Sequence, residues 1–267
     1  MINKRIGGYV GAALFVLLAV SAAVPGRASA YSPVGYPGST WGNVTQGDNS
    51  LEGLGTQGWV RQGVTWFSPG GVDFNTYGRY TWRVRTQNEQ YYDEYGPGLS
   101  AAFEKGPFGL GVEYTWLRYP KLSENSRNSD LFGNWYYSAN VAKWLGKPNV
   151  SSHSPLALPL STWGQLTYDL NGIEGSGSQG WVKQGVDWFS FGRGWKFDTY
   201  AAYNWRLRTK NRKYYDATGP STGLTVFNSD VNLGLEYMWQ RFPQLHTSTR
   251  RLSLYLTWFY NWDLKHK

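Results

Sequence analysis

The 267-residue chain contains no cysteine, is 18% aromatic and carries a formal net charge of +8. The lack of cysteine excludes a disulfide framework and a thiolate metal site. The mild basic excess favours anionic surfaces or solutes as partners.

The start of the chain has the pattern of a cleavable export signal. Lys4 and Arg5 form a basic segment, an apolar run extends from Ala12 to Val24, and Ala28-Ser29-Ala30 fits a small-residue cleavage site. We therefore expect residues 1–30 to be a signal peptide that is removed on export. Because exported proteins seldom meet nucleic acid, no nucleic-acid partner is expected.

An internal repeat covers most of the remaining chain. The segment Ser39–Ser68 matches Ser161–Ser190, and both begin with STWG and end with WFS. We assign residues 31–145 to a first repeat, residues 146–160 to a connector that contains Pro and Ser, and residues 161–267 to a second repeat.

Within each repeat, apolar residues recur at every second position, which indicates strands rather than helices. In the last strand, seven apolar residues from Leu252 to Leu264 alternate with polar residues such as Ser253 and Asn261. In the first repeat the six predicted strands lie near residues 39–46, 58–68, 74–86, 98–104, 108–119 and 131–141.

The connections between these strands alternate between long and short, with a further long loop expected over Lys121–Asp130. Such alternation is typical of outer-membrane barrels, which have short periplasmic turns and longer external loops. The sequence therefore predicts an all-β fold, an antiparallel transmembrane β-barrel of about 12 strands built from two six-stranded repeats. Ten strands, or two six-stranded units in an oligomer, are the alternatives.

The alternating strands, the loop asymmetry and the aromatic last strand RLSLYLTWFYNWDL resemble those of Gram-negative outer-membrane β-barrel proteins. The abundance of Trp, Tyr, Gly and Asn is also similar to that of barrels from exopolysaccharide export systems. The resemblance implies an outer-membrane location, contact with outer-membrane lipid and lipopolysaccharide, and insertion by the barrel-assembly machinery. The chain departs from the class at its end, where Leu264 and Lys265-His266-Lys267 replace a terminal aromatic residue.

Charged residues recur on the polar faces of corresponding strands in the two repeats. They are Arg83, Arg85 and Glu113 in the first repeat and Arg206, Arg208 and Glu236 in the second. A basic constriction of the lumen, tuned by the two carboxylates, would select anionic solutes. The alternative is that these groups pair across the lumen and simply fill a small barrel.

A second set of residues is predicted to lie at the membrane interfaces, where aromatic girdles are expected. This set comprises Trp116, Arg118, Trp239, Arg241, Trp258 and Trp262. The two arginines would extend towards the headgroups, where lipopolysaccharide phosphates are natural partners.

No catalytic or metal-binding pattern stands out. Glu52 and Glu174 lie in the glycine-rich segments LEGLGTQGW and IEGSGSQGW, which we interpret as surface turns rather than as a glycosidase carboxylate pair. The three histidines lack the spacing of metal ligands. We therefore expect no enzyme activity, no metal and no cofactor.

Three functional hypotheses follow from these patterns. The first is an outer-membrane pore or channel for anionic solutes or for an exported polysaccharide. The second is a non-conducting structural or scaffold barrel of the cell envelope. The third is a soluble periplasmic tandem of carbohydrate-binding β-domains, in which Trp and Tyr would stack on sugars.

Overall fold

The computed structural model describes residues 33–48, 53–87, 89, 93–141, 158–170, 174–192 and 194–264, without the side chains of Tyr214 and Tyr215. The predicted signal peptide and most of the connector lie outside the described residues. No helix in the described part of the chain is long and apolar enough to cross a membrane.

Twelve strands form one closed sheet. They are β1 (Pro37–Gly47), β2 (Gly55–Phe67), β3 (Asp73–Arg85), β4 (Glu94–Lys105), β5 (Phe108–Tyr119), β6 (Glu124–Asn140), β7 (Pro159–Asp169), β8 (Gly177–Phe191), β9 (Trp195–Arg208), β10 (Ala217–Phe227), β11 (Val231–Phe242) and β12 (Thr247–Asp263). A short helix, α1 (Arg212–Tyr215), precedes β10.

Every strand pairs antiparallel with its neighbours in the chain, and β1 closes the barrel by pairing with β12 from Pro37↔Asp263 to Gly47↔Ser253. The predicted all-β antiparallel barrel of about 12 strands is therefore confirmed. A single closed barrel is incompatible with ten strands, with two six-stranded units and with two soluble β-domains.

The connections define two ends of the barrel. The loop end carries the connections 48–54, 86–93, 120–123, 170–176, 209–216 and 243–246. The turn end carries the connections 68–72, 106–107, 141–158, 192–194 and 228–230, together with the start of β1 and the end of β12.

Two predicted boundaries were wrong. The long loop expected over Lys121–Asp130 is a turn at 120–123, and β6 already begins at Glu124. The segment Glu124–Asp130 is polar on both faces, yet it pairs residue by residue with β5. Its composition hid a strand that extends beyond the apolar band. At the other end, β7 begins at Pro159, inside the predicted connector 146–160.

The outer face of the barrel is apolar. Every strand from β2 to β12 carries at least one large apolar side chain there that is more than a third exposed, for example Leu110 at 66% and Leu166 at 55%. Soluble proteins rarely expose a continuous apolar surface of this size, whereas a lipid-facing barrel requires one. The chain thus has the architecture of a Gram-negative outer-membrane β-barrel.

Tryptophan rings pack over glycines on this outer face at matching places in the two halves of the barrel. The pairs are Trp82 over Gly58, Trp258 over Gly42, Trp205 over Gly180 and Trp135 over Gly164. A Cβ at any of these glycines would lie under 3.0 Å from the indole ring. The glycines inside these strands therefore provide the space in which the rings lie against the backbone.

Candidate functional site in the barrel lumen

The four arginines predicted for the lumen all face it at the loop end. Arg83 and Arg85 lie on β3, while Arg206 and Arg208 lie on β9, which is six strands away in either direction and therefore forms the opposite wall. They alternate along their strands with outward residues such as Trp82 and Trp205. We call these four residues the mouth arginines.

The carboxylate of Glu174 connects the two walls. Glu174, in the β7–β8 loop, places Oε1 at 2.9 Å from Nη2 of Arg83 and Oε2 at 2.7 Å from Nε of Arg208. The side chains of Arg83 and Arg208 are 11% and 9% exposed. Two arginine side chains and one carboxylate therefore form a continuous bridge across the mouth.

Polar neighbours orient both arginines. The Nη2 group of Arg208 donates to Oε1 of Gln179 at 2.8 Å, and Nη2 of Arg83 lies 3.2 Å from Oε1 of Glu94. In the first half, Nη2 of Arg85 donates to Oε1 of Gln57 at 2.9 Å. Such charge-assisted contacts fix the planar guanidinium groups in place.

The backbone of the loop holds Glu174 over the mouth. Its carbonyl oxygen accepts a hydrogen bond from the N–H of Lys210 at 3.1 Å, and the carbonyl of Ser176 accepts one from Thr209 at 2.8 Å. Between them, Gly175 has φ +73°, and a Cβ there would lie 2.4 Å from Oγ1 of Thr209. Glycine is required at this position, so the turn that aims Glu174 is specified by the sequence.

The Arg–Glu contacts determine the charge state of this carboxylate. Burial by itself raises the pKa of Glu174, but the positive charges of Arg83, Arg208 and Arg206 outweigh burial and hold that pKa well below its ordinary value. Glu174 therefore stays ionised through the physiological range and remains a ligand for the arginines.

Two buried aspartates anchor the strand ends beneath the loops. Oδ1 of Asp93 accepts a hydrogen bond from the backbone N–H of Arg85 at 2.6 Å, and Oδ1 of Asp216 accepts one from Arg208 at 2.6 Å. Asp93 and Asp216 are 6% and 1% exposed. The motif YYD places these aspartates at the same position in each repeat, but the sequence alone does not reveal that they are buried.

The two predicted lumen carboxylates lie elsewhere in the barrel. Glu113 on β5 pairs with Arg79 on β3, within the lumen but away from the mouth. Glu236 faces inward on β11, opposite Ser253 in the register of β12. The residue that corresponds to Arg79 in the second repeat is Ala202, so the Arg79–Glu113 pair has no counterpart there.

The turn-end half of the lumen carries further ion pairs and rings that sequence reasoning missed. Nη1 of Arg61 lies 3.5 Å from Oε1 of Glu104, and its guanidinium carbon lies 4.3 Å from the ring centre of Tyr77. On the opposite wall, Nζ of Lys183 lies 3.8 Å from the ring centre of Tyr200. Cation–π contacts of this kind hold cations against aromatic walls.

Tryptophans also line the lumen in two matching groups. Trp41 pairs in register with Trp59, and Trp163 pairs with Trp181 on the facing side of the barrel. The rings of Trp181 and Tyr136 meet edge to face, with their centres 6.5 Å apart. The lumen thus combines charged groups with flat aromatic surfaces.

The residues predicted for the membrane interfaces all point outward. Trp116 and Arg118 on β5, and Trp239 and Arg241 on β11, lie close to the loop end, whereas Trp258 and Trp262 on β12 lie towards the turn end. Trp116 packs edge to face with Tyr114, and Trp239 does the same with Tyr237. Their contact with lipid stays a prediction.

Within the described ranges, no group of three or more His, Asp or Glu side chains is arranged to hold a metal ion. No protein-family model and no curated protein sequence matches the chain.

Solved barrel structures do resemble it. The β domain of the Bordetella autotransporter BrkA is 13% identical, with a TM-score of 0.37 over 86% of this chain and 99% of that one. An outer-membrane channel from Pseudomonas putida F1 is 9% identical, with a TM-score of 0.37 over 88% and 100%. The NanC porin is 8% identical, with a TM-score of 0.38 over 82% and 97%. All three scores lie below 0.5, so these likenesses say nothing about what passes through this barrel.

Proposed function

We propose that this protein is an outer-membrane channel for anionic solutes, and that an acidic polysaccharide is the class of substrate its lumen suits best. The observation that carries the proposal is the position of the mouth arginines, two on each of two facing walls of a closed barrel with an apolar exterior. The protein reaches the membrane as an exported chain inserted by the barrel-assembly machinery, and its outer rim faces lipopolysaccharide.

The size of the barrel makes these arginines decisive for selectivity. Twelve strands about 4.8 Å apart and tilted by roughly 40° give a backbone radius on the order of 12 Å, and inward side chains leave a narrow passage. Screening by salt is weaker in such a passage than at an exposed surface, so a few charges dominate the choice of ion.

The aromatic residues of the lumen support a sugar as the substrate. Trp41 and Trp59 are register partners on one wall, as are Trp163 and Trp181 on the facing wall, and their rings offer flat apolar surfaces to a substrate. The faces of sugar rings are rich in C–H groups and pack on such surfaces, while carboxylates along an acidic chain would meet the arginines.

A non-conducting scaffold is the second candidate, and the ion pairs of the lumen favour it. Arg79 pairs with Glu113, and Arg61 with Glu104, so a large part of the inward charge is already neutralised inside the barrel. A barrel filled in this way could hold its shape without conducting.

Uptake into vesicles separates the two candidates. Purified protein is reconstituted into liposomes, and the entry of short acidic oligosaccharides is compared with that of neutral oligosaccharides of the same length. We expect faster entry of the acidic series at low ionic strength and a smaller difference at high salt. If neither series enters faster than in protein-free liposomes, the scaffold function replaces the channel.

A further inference from the structure

We propose that Arg83 and Arg208 form a carboxylate-binding site for the substrate of this channel, and that Glu174 occupies this site as an internal ligand when substrate is absent. The inference rests on the proposed channel function and names the chemical group that the mouth recognises. Glu174 would act as a displaceable latch.

The geometry at Glu174 is that of a bound ligand. Its two carboxylate oxygens take separate arginine partners, at 2.9 Å on β3 and 2.7 Å on β9. Gln179 supports Arg208 from the side at 2.8 Å. Arginine recognises planar carboxylates through directed N–H donors, so the same arrangement suits the carboxylate of a uronic acid.

Because Glu174 lies on a loop, a substrate carboxylate can displace its side chain from the two arginines. All of its arginine partners lie on strands of the barrel wall, whereas Glu174 itself lies on a loop. A group held by a short tether competes at an effective concentration in the millimolar range. A free monocarboxylate should therefore displace it at millimolar concentrations, and a chain with many carboxylates at lower ones.

Removal of the latch should increase the affinity for substrate. If the latch is closed about nine-tenths of the time, the apparent affinity for a competing carboxylate is weakened about tenfold. In the Glu174→Gln variant this competition is lost, because the amide carries no charge while the arginines remain.

The test is titration of the purified full-length protein in detergent micelles with glucuronate, and with glucose as the neutral probe. We expect Glu174→Gln to bind glucuronate about tenfold more tightly than the wild type, and glucose to bind equally weakly to both. The matched control is Glu89→Gln, which removes a carboxylate at the same end of the barrel, where Glu89 lies 2.5 Å from Nζ of Lys121. This control should behave as the wild type.

A second variant fixes the location of the site. In the Glu174→Gln background, Arg83→Gln together with Arg208→Gln should abolish the gain in glucuronate binding, with folding checked by migration of the unheated protein on gels. Equal glucuronate affinity in the wild type, Glu174→Gln and Glu89→Gln would overturn the inference. If none of the variants conducts ions, the channel function fails, yet the titration still decides whether the carboxylate site exists.

Discussion

Strands β10 and β11 approach each other so closely at Gly219 that a methyl group at this position should destabilise the barrel. A Cβ at Gly219 on β10 would lie 1.8 Å from the backbone oxygen of Trp239 on β11, and Gly96 has the same relation to Trp116 in the first repeat. Ordinary contact begins near 3.4 Å, so Gly219→Ala requires the two strands to separate by about 1.6 Å.

This separation cannot be avoided by rotating a side chain, since the obstacle is backbone. Overpacking typically costs about 1–3 kcal/mol, and we expect Gly219→Ala to lose about 3 kcal/mol because ladder hydrogen bonds are strained as well. Gly78→Ala is the matched control, because a Cβ there meets only the backbone oxygen of Gln62, at 4.0 Å. It should be neutral or stabilising by up to about 1 kcal/mol.

The assay is equilibrium unfolding of both variants by urea in detergent micelles, followed by tryptophan fluorescence. A midpoint for Gly219→Ala well below that of the wild type, with Gly78→Ala unchanged or higher, is the expected result. Equal midpoints for the two variants would refute the close approach between β10 and β11. Gly96→Ala should repeat the behaviour of Gly219→Ala.

Three further predictions concern the membrane, the topology and the pH dependence. The protein should fractionate with outer membranes and migrate faster on gels when unheated, because a closed barrel has no free edge from which unfolding starts; release into the soluble periplasmic fraction without detergent would contradict this. A cysteine placed at Lys121 should react with an impermeant reagent in intact cells and one placed at Ser68 should not, and the reverse would invert the barrel. The pKa of Glu174 is lowered from 4.5 to about 2, so its bridge between the mouth arginines is complete above about pH 4.5 and is lost as the pH falls through about 2. We therefore expect the conductance to stay constant between pH 7 and pH 5. A conductance that rises in this range would show that another group closes the mouth.

The alternation of residues predicted the strands and their faces well, because a period of two is imposed directly by the pleat. Strand β12 is the clearest case, since its outward residues from Leu252 to Trp262 are all apolar. The same rule failed at Glu124–Asp130, where the strand continues past the apolar band and neither face needs to be apolar. Strand limits outside the band are thus invisible to hydrophobic patterning.

The sequence predicted only part of the candidate site in the lumen. The mouth arginines could be placed on inward faces from the alternation alone, and the repeat indicated that they would occur twice. Glu174 was interpreted as part of a surface turn, because no sequence rule says that a glycine-rich loop turns inward. Its role depends on contacts with β3 and β9. Arg83 on β3 lies about 90 residues away from Glu174 in the sequence, so no local pattern links the two residues.

The measurement that tests the channel most directly is the reversal potential of the purified protein in a planar bilayer under a salt gradient. We predict discrete conductance steps with preference for anions in the wild type, and loss of that preference when all four mouth arginines are changed to glutamine. An open channel whose selectivity is untouched by the fourfold change, or a correctly folded barrel that conducts no ions in the wild type or in Glu174→Gln, would contradict the account.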